Sequence, residues 1–324
     1  MPNDPGLSGD TCFFMEATAG DGGAHNANVW WLSPDIVLNG PISGFDKADP
    51  GQVNPVQVTF RSKAANSNCI SPGSEAVTVE LWTGNPSIAM APNNPASTIL
   101  ILSIGVPTPA SGTTTTQLIE WTPPAGVPAS DPQSAGHKCL VARCYPQDLI
   151  PSASNFFVPD DPHVAQRNIC IVPCDGPGAA RRPGPCGLKV TTANLNQKLA
   201  QTVTLRAVFD PAPSQFVRRT VLAGLRNVAG FKQLSQRMPK RFGFQLGKFP
   251  LARIKDLTSP GTLIPPGEAR RFDATITLQP AQVIRFDFSA DLSGGAFGDA
   301  YIFHLTQTGA KRQAEGGLTV VLVS

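Results

Sequence analysis

Gly136-His137-Lys138-Cys139-Leu140-Val141-Ala142-Arg143-Cys144 and, further on, Asp161-Pro162-His163-Val164-Ala165-Gln166-Arg167-Asn168-Ile169-Cys170-Ile171-Val172 are the two runs whose reading decides the fold. Both alternate with period two. Cys139, Val141 and Arg143 fall on one side of an extended ribbon and Leu140 and Ala142 on the other, while Val164, Ile169, Ile171 and Val172 are the apolar points of the second run. Between them, Pro146 to Asp160 is rich in Pro, Ser, Asn and Asp, the chemistry of a connection. Two central antiparallel strands joined by a long exposed connection are expected. Gln166, Arg167 and Asn168 are expected to satisfy backbone groups of that connection.

Working outward towards the N-terminus, short alternating runs recur between turn signals. They are Val53–Arg61 with Val56, Val58 and Phe60 on one face, Ala76–Trp82 with Val77, Val79 and Leu81, Ile99–Ile104, and Thr113–Trp121. Asn28–Leu38 reads as a further strand, with Trp30 and Trp31 on opposite faces, one inward and one exposed. Seven or so such strands are the pattern of an immunoglobulin-like sandwich over residues 28–175. Residues 1–27, rich in Gly, Asp and Asn around Phe13-Phe14, read as an arm that docks on something else.

Towards the C-terminus, residues 176–187 carry a Pro/Gly-rich linker, and 188–324 form a second domain. Gln201–Phe209, Arg270–Leu278, Val283–Phe288 and Tyr301–Thr306 alternate as strands, and Leu318–Val323 reads as a buried closing strand. Phe216–Leu234 changes period, with Val221, Leu222, Leu225, Val228 and Ala229 at three- and four-residue spacing, and predicts a helix. Phe242–Ile254 is ambiguous. The expected fold class is mainly β: two immunoglobulin-like β-sandwiches in tandem, the second with an inserted basic helix.

The tryptophan before a Pro-rich turn (Trp121-Thr122-Pro123-Pro124), Gly136-His137-Lys138-Cys139-Leu140-Val141-Ala142-Arg143 and His163-Val164-Ala165-Gln166-Arg167-Asn168-Ile169 resemble immunoglobulin-like modules of bacterial exported and surface proteins, the CARDB-type domains. The likeness covers about residues 28–175. It implies a sandwich, and a role as spacer, adhesive unit or enzyme appendage.

The composition narrows the class. Among 324 residues, 41% are apolar and only 15% charged, with 32 Pro and 30 Gly spread without period, which excludes collagen and long helices and suits many short strands. No apolar run approaches the roughly 18 residues of a membrane span. The first residues show neither a basic nor an apolar leader region, so no signal peptide is read. The formal charge of +3 hides a division: residues 1–175 hold six Lys/Arg against fifteen Asp/Glu, and 176–324 hold twenty against eight, net −9 and +12. Such an asymmetry suggests an interface between copies.

Candidate sites follow from clustering. Arg218, Arg219, Arg226, Lys232, Arg237, Lys240 and Arg241, continued by Lys248, Arg253 and Lys255 and interleaved with Phe231, Phe242, Phe244 and Phe249, form a basic run suited to a phosphate backbone, an acidic glycan or an acidic protein face. The seven cysteines, Cys12, Cys69, Cys139, Cys144, Cys170, Cys174 and Cys186, all lie in the first 186 residues, and at least one disulfide is expected in the first domain, with Cys139 or Cys170 as its member. The spacings Cys139-x4-Cys144 and Cys170-x3-Cys174 lack the knuckle of a zinc site, and Asp160-Asp161 lacks a calcium loop, so no metal or cofactor is expected. His137 and His163 have no nucleophile elbow or metalloprotease motif near them. The expectation is therefore a non-enzymatic structural or adhesive protein outside the cell, assembling head-to-tail through its acidic and basic halves with Phe13-Phe14 as the arm. Its partners would be other copies or an assembly protein, and the alternatives are a polyanion- or glycan-binding module and an appendage of a secreted hydrolase.

Overall fold

The computed structural model describes residues 4–71, 73–92, 94–152, 155–174, 183–245, 271–309 and 313–324. Alternation of apolar and polar residues makes almost every element a strand, and the contacts divide the chain into two compact units: residues 1–85 with 90–168, and residues 86–89 with 169–324.

Unit 1 begins with strand β1 (Phe13–Phe14), followed by β2 (Ile36–Gly40), β3 (Gly44–Phe45), β4 (Lys47–Ala48), β5 (Asn54–Ser62), β6 (Ala76–Gly84), β7 (Thr98–Pro107), β8 (Thr114–Trp121), β9 (Gly136–His137), β10 (Cys139–Pro146) and β11 (Val164–Pro173). One sheet has β5 between β8 on one side and β2 and β1 on the other, with β3 beyond β2. The other runs β7-β6-β10-β11, antiparallel throughout, with Val141 opposite both Trp82 and Gln166. One core lies between them. Val56, Val58 and Phe60 of β5 meet Val77, Val79 and Leu81 of β6 and Leu140, Ala142 and Cys144 of β10. The period of two thus puts every apolar residue of one row inside.

Unit 2 takes the last five residues of β11, which pair parallel to the final strand, and adds β12 (Pro185–Ala193), β13 (Gln201–Phe209), helix α1 (Gln215–Leu225), β14 (Gln233–Leu234), β15 (Arg241–Gln245), β16 (Arg271–Leu278), β17 (Val283–Asp291), β18 (Asp299–Thr308) and β19 (Ala314–Val323). Its sheets run β16-β13-β18-β19-β11 and β12-β17-β15. Phe209, Phe242, Phe244, Phe286, Phe288 and Phe303 interlock in the core, with ring centroids 5.1–6.0 Å apart in the contacts that link them. The chain is mainly β, with one α-helix and a short 3-10 turn at Pro5–Leu7 among the described residues.

Several expectations need correction. Residues 13–14 are not a free arm: β1 pairs with the end of β5, and Phe13 and Met15 are buried in unit 1's own core. Asp4, Asp10 and Asp21, which gave the segment its loop-like composition, accept bonds from the nearby amides of Gly6, Cys12 and Gly23 and so fix its turns. Trp30 and Trp31 are both buried and meet edge-to-face at 5.4 Å, because residues 28–31 turn instead of extending. Helix α1 stops at Leu225. Its buried residues, Val217, Val221, Gly224 and Leu225, follow the helical period, but Gly230 at φ +82° turns the chain and residues 233–234 pair with β18. Residues 176–182, most of the expected linker, lie outside the described residues. Cys174 and Cys186 at its ends are joined by a disulfide, and β12 starts at Pro185.

Candidate polyanion-binding cleft

The polar residues of the two opening runs are committed to internal structure. His163 is fully buried, its Nδ1 2.7 Å from Asp161 Oδ1 and its Nε2 2.9 Å from Asp10 Oδ2. Burial works against its charged form, but the bonds to the two aspartates outweigh it and raise its pKa to about 9. Arg143 donates through Nε and Nη2 to Glu80 Oε2 (2.9 and 2.7 Å), and Tyr145 donates to the other oxygen of Glu80 at 2.8 Å. Arg167 donates to both oxygens of Asp46 and to the carbonyls of Leu32 and Ser33. It therefore serves residues 32–46 and not the 146–160 connection. Lys138, nearly buried, donates to Asn85 Oδ1 and Ser134 Oγ at 3.0 Å each, and burial lowers its pKa to about 7. His137 sits on β9, bonded to the Asp46 carbonyl. The sequence places these residues near one another, and the fold distributes them among separate networks that hold the N-terminal segment and its neighbours to the sheet.

The cysteines also sort by burial. Cys12 pairs with Cys69 and Cys174 with Cys186, so the first domain holds a disulfide as expected, but the partners differ: Cys139, Cys144 and Cys170 are buried thiols. Gln166 Nε2 lies 3.2 Å from Cys139 Sγ, and burial pushes the Cys144 thiol well up.

The acidic half is acidic mainly inside. Of the fourteen carboxylates among its described residues, eight (Asp4, Asp10, Glu16, Asp35, Asp46, Asp49, Glu80 and Asp161) are buried. Several face buried or half-buried cations: Asp46 faces Arg167, Glu80 faces Arg143, and Asp35 and Glu16 face Arg61. The acidic surface needed for a head-to-tail contact is correspondingly thin.

The basic run behaves differently. Ser214 caps α1 by accepting from the Val217 amide, which leaves Arg218 on the helix's outer side. After the turn at Gly230, Lys232 and Ser235 are held by backbone bonds to Gly298 and Ala300. A Cβ at Gly298, where φ is +86°, would run into the Gly230 carbonyl oxygen, so glycine there is what lets the two loops touch. The result is a cleft of about 730 Å³ within unit 2, lined by Arg218, Phe231, Lys232, Gln233, Ser235, Arg237 and Asp299 among others. Lys232 Nζ sits 5.5 Å over the Phe297 ring, and Arg237 donates to the Gly294 carbonyl. Asp299 is 5% exposed and accepts from Gln233 Nε2 at 2.9 Å and the Ala296 amide at 3.1 Å.

Elsewhere in the same unit, Arg206 and Arg271 share Asp273 and Lys189 meets Asp287. Arg218, Lys232 and Arg237 form no salt bridge among the described residues, and they converge on the cleft. Arg219 and Arg226 are exposed but outside the lining, and Lys240 and Arg241 lie beside Asp291, which they help to hold below the usual carboxylate range after the Ser293 hydrogen bond. Of the interleaved phenylalanines, Phe242 and Phe244 are core and only Phe231 lines the cleft. Lys248, Phe249, Arg253 and Lys255 lie outside the described residues. Clustering of cations in the sequence points to this region; which three converge is set by the turn at Gly230, which the helical period hides.

No family model matches the chain, and none of the curated proteins matches its sequence. Among solved structures it is similar to the collagen adhesin of S. aureus, at 8% identity over 90% of this chain and 93% of that one, with a TM-score of 0.24. It is also similar to a structure of manganese lipoxygenase of Gaeumannomyces graminis with part of zonadhesin of Komagataella pastoris, at 11% identity over the same shares, TM-score 0.17. Likenesses of this size carry no argument about fold or function.

Proposed function

We propose that this chain is a non-enzymatic, adhesive binding protein that acts by surface contact and holds a polyanion in the cleft of unit 2. The observation that carries this is the convergence of Arg218, Lys232 and Arg237, three cations without a carboxylate partner among the described residues, on one concave surface. Unpaired cations that converge are poised for anionic groups, which they hold through charge-assisted hydrogen bonds. The tandem immunoglobulin-like reading belongs to the same proposal and has support in the pairing. In unit 1, β5 neighbours β2 and β8 while β6 neighbours β7 and β10, as B neighbours A and E, and C neighbours C′ and F. In unit 2, β12 pairs with β17 as B with E, β13 with β16 and β18 as C with C′ and F, and the end of β11 runs parallel to the last strand. Two disulfides favour use outside the cell, where such bonds persist.

The test is titration of the full chain with heparin at several salt concentrations. Three charge contacts predict a fall of log affinity against log salt with a slope of roughly −2 to −3. Replacing Arg218 and Arg237 together by Ala should remove most of that slope. If the double variant binds like the parent, the cleft is not the site.

A further inference from the structure

We infer that the cleft's occupant is an acidic saccharide, a sugar carrying sulfate or carboxylate groups beside its hydroxyls, and not a bare polyphosphate chain; this rests on the polyanion reading above. The cleft is not uniformly basic. Asp299 lies in its wall, nine-tenths buried and fixed by Gln233 and the Ala296 amide. These two bonds use about half of what a carboxylate can accept, so it retains capacity for further donors. Sugar hydroxyls are such donors. Bare phosphates offer none and are repelled by the same charge. Gln233 holds Asp299 through its amide nitrogen, and its amide oxygen is a second acceptor in the wall. Ser235 Oγ accepts from the Arg237 amide at 3.3 Å and donates to the Arg237 carbonyl at 3.5 Å, so it holds the cleft's floor rather than offering a free donor. Phe231, half-buried, supplies an apolar surface against which the C–H face of a pyranose can lie. Arg218, Lys232 and Arg237 supply the charge for the acidic substituents. A bare phosphate chain has no donor for a buried carboxylate, whereas an acidic sugar uses both signs: cations for its acid groups and an acceptor for its hydroxyls.

The test compares three ligands of matched charge on the full chain by calorimetry or fluorescence anisotropy: a sulfated heparin oligosaccharide, an oligouronate and inorganic polyphosphate. At least one saccharide should bind about ten-fold or more tightly than polyphosphate. Asp299→Asn should then cut saccharide affinity about ten-fold and raise polyphosphate affinity, since it removes an acceptor for one and a like charge for the other. Should that variant misfold, Phe231→Ala takes its place, weakening saccharide several-fold while polyphosphate binding falls much less. Equal affinity for saccharide and polyphosphate, or tighter binding of polyphosphate, overturns this inference and leaves the polyanion reading standing. Binding of none of the three overturns both. Whichever saccharide arm binds more tightly identifies sulfate or carboxylate as the acidic group.

Discussion

Lys138 and His163 are buried bases of unit 1 that titrate in opposite senses. His163 rises from its ordinary 6.5 to about 9, because its two aspartates outweigh burial. The stability it contributes is therefore whole below pH 6.5 and is lost as pH rises through 9. Lys138 falls from 10.5 to about 7 through burial, so its presence costs stability in full below about pH 7, and that cost fades as pH rises towards 10.5. Between pH 7 and 9 the two slopes oppose, and stability in urea should change by less than about 1 kcal/mol. Lys138→Met removes one slope and should lose about 2–3 kcal/mol over the same window. A Lys138→Met protein with flat stability would show that His163 is not held protonated. Thiol chemistry gives a second test at this scale. Alkylation under denaturing, non-reducing conditions should modify three cysteines, Cys139, Cys144 and Cys170, and prior reduction should expose all seven. These residues also show what single positions hide from a reader of sequence. Asp10 looks like loop chemistry until its carboxylate is found against His163, 153 positions away. No local pattern encodes such a partner.

Strands were legible because their signal is local: the alternation in Val56, Val58 and Phe60 or in Val203, Leu205 and Ala207 needs only the neighbouring residues. The helix was half legible. Its period runs on through Val228, but the backbone turns at Gly230, so the reading overshot the end of α1 at Leu225. The N-terminal segment is illegible in sequence because its apolar island is only Cys12 to Met15, too short to show a period, while its carboxylates pin turns. Deletion is the sharp test of that segment. Removing residues 1–26 takes out Leu7, Phe13 and Met15, each worth roughly 1.5–3 kcal/mol when buried, together with the Asp10 partner of His163 and the Cys12–Cys69 link. Unit 1 should then lose cooperative unfolding, as followed by near-ultraviolet circular dichroism. A truncated chain that melts like the parent would restore the docking-arm reading. At the other end, β19 has a neighbour on each side, β18 and β11, and Leu318 to Leu322 are fully buried. Deleting residues 318–324 should leave unit 2 susceptible to proteases that the intact chain resists.

For the molecule as a whole, net charge misled where placement decided. The expected acid-to-base contact between copies assumes that −9 and +12 are both surface quantities, yet eight of the fourteen described carboxylates behind the first figure are interior. The basic excess, by contrast, is displayed: Arg218, Arg219, Arg226, Lys232, Arg237, Lys240 and Arg241 are all exposed. Sedimentation of the full chain at low salt should accordingly show monomer without ligand and larger species only when a long polyanion bridges copies. Concentration-dependent assembly without ligand would return the acidic half to consideration. The buried thiols have a consequence of a different sort. Cys144 belongs to the core of unit 1 and Cys170 to that of unit 2, so each half of the chain carries its own concealed chemical clock. A brief exposure to a mass tag, followed by digestion, would time the opening of each core separately in one tube, with no engineered probe, and would report whether the two halves come apart together or in turn.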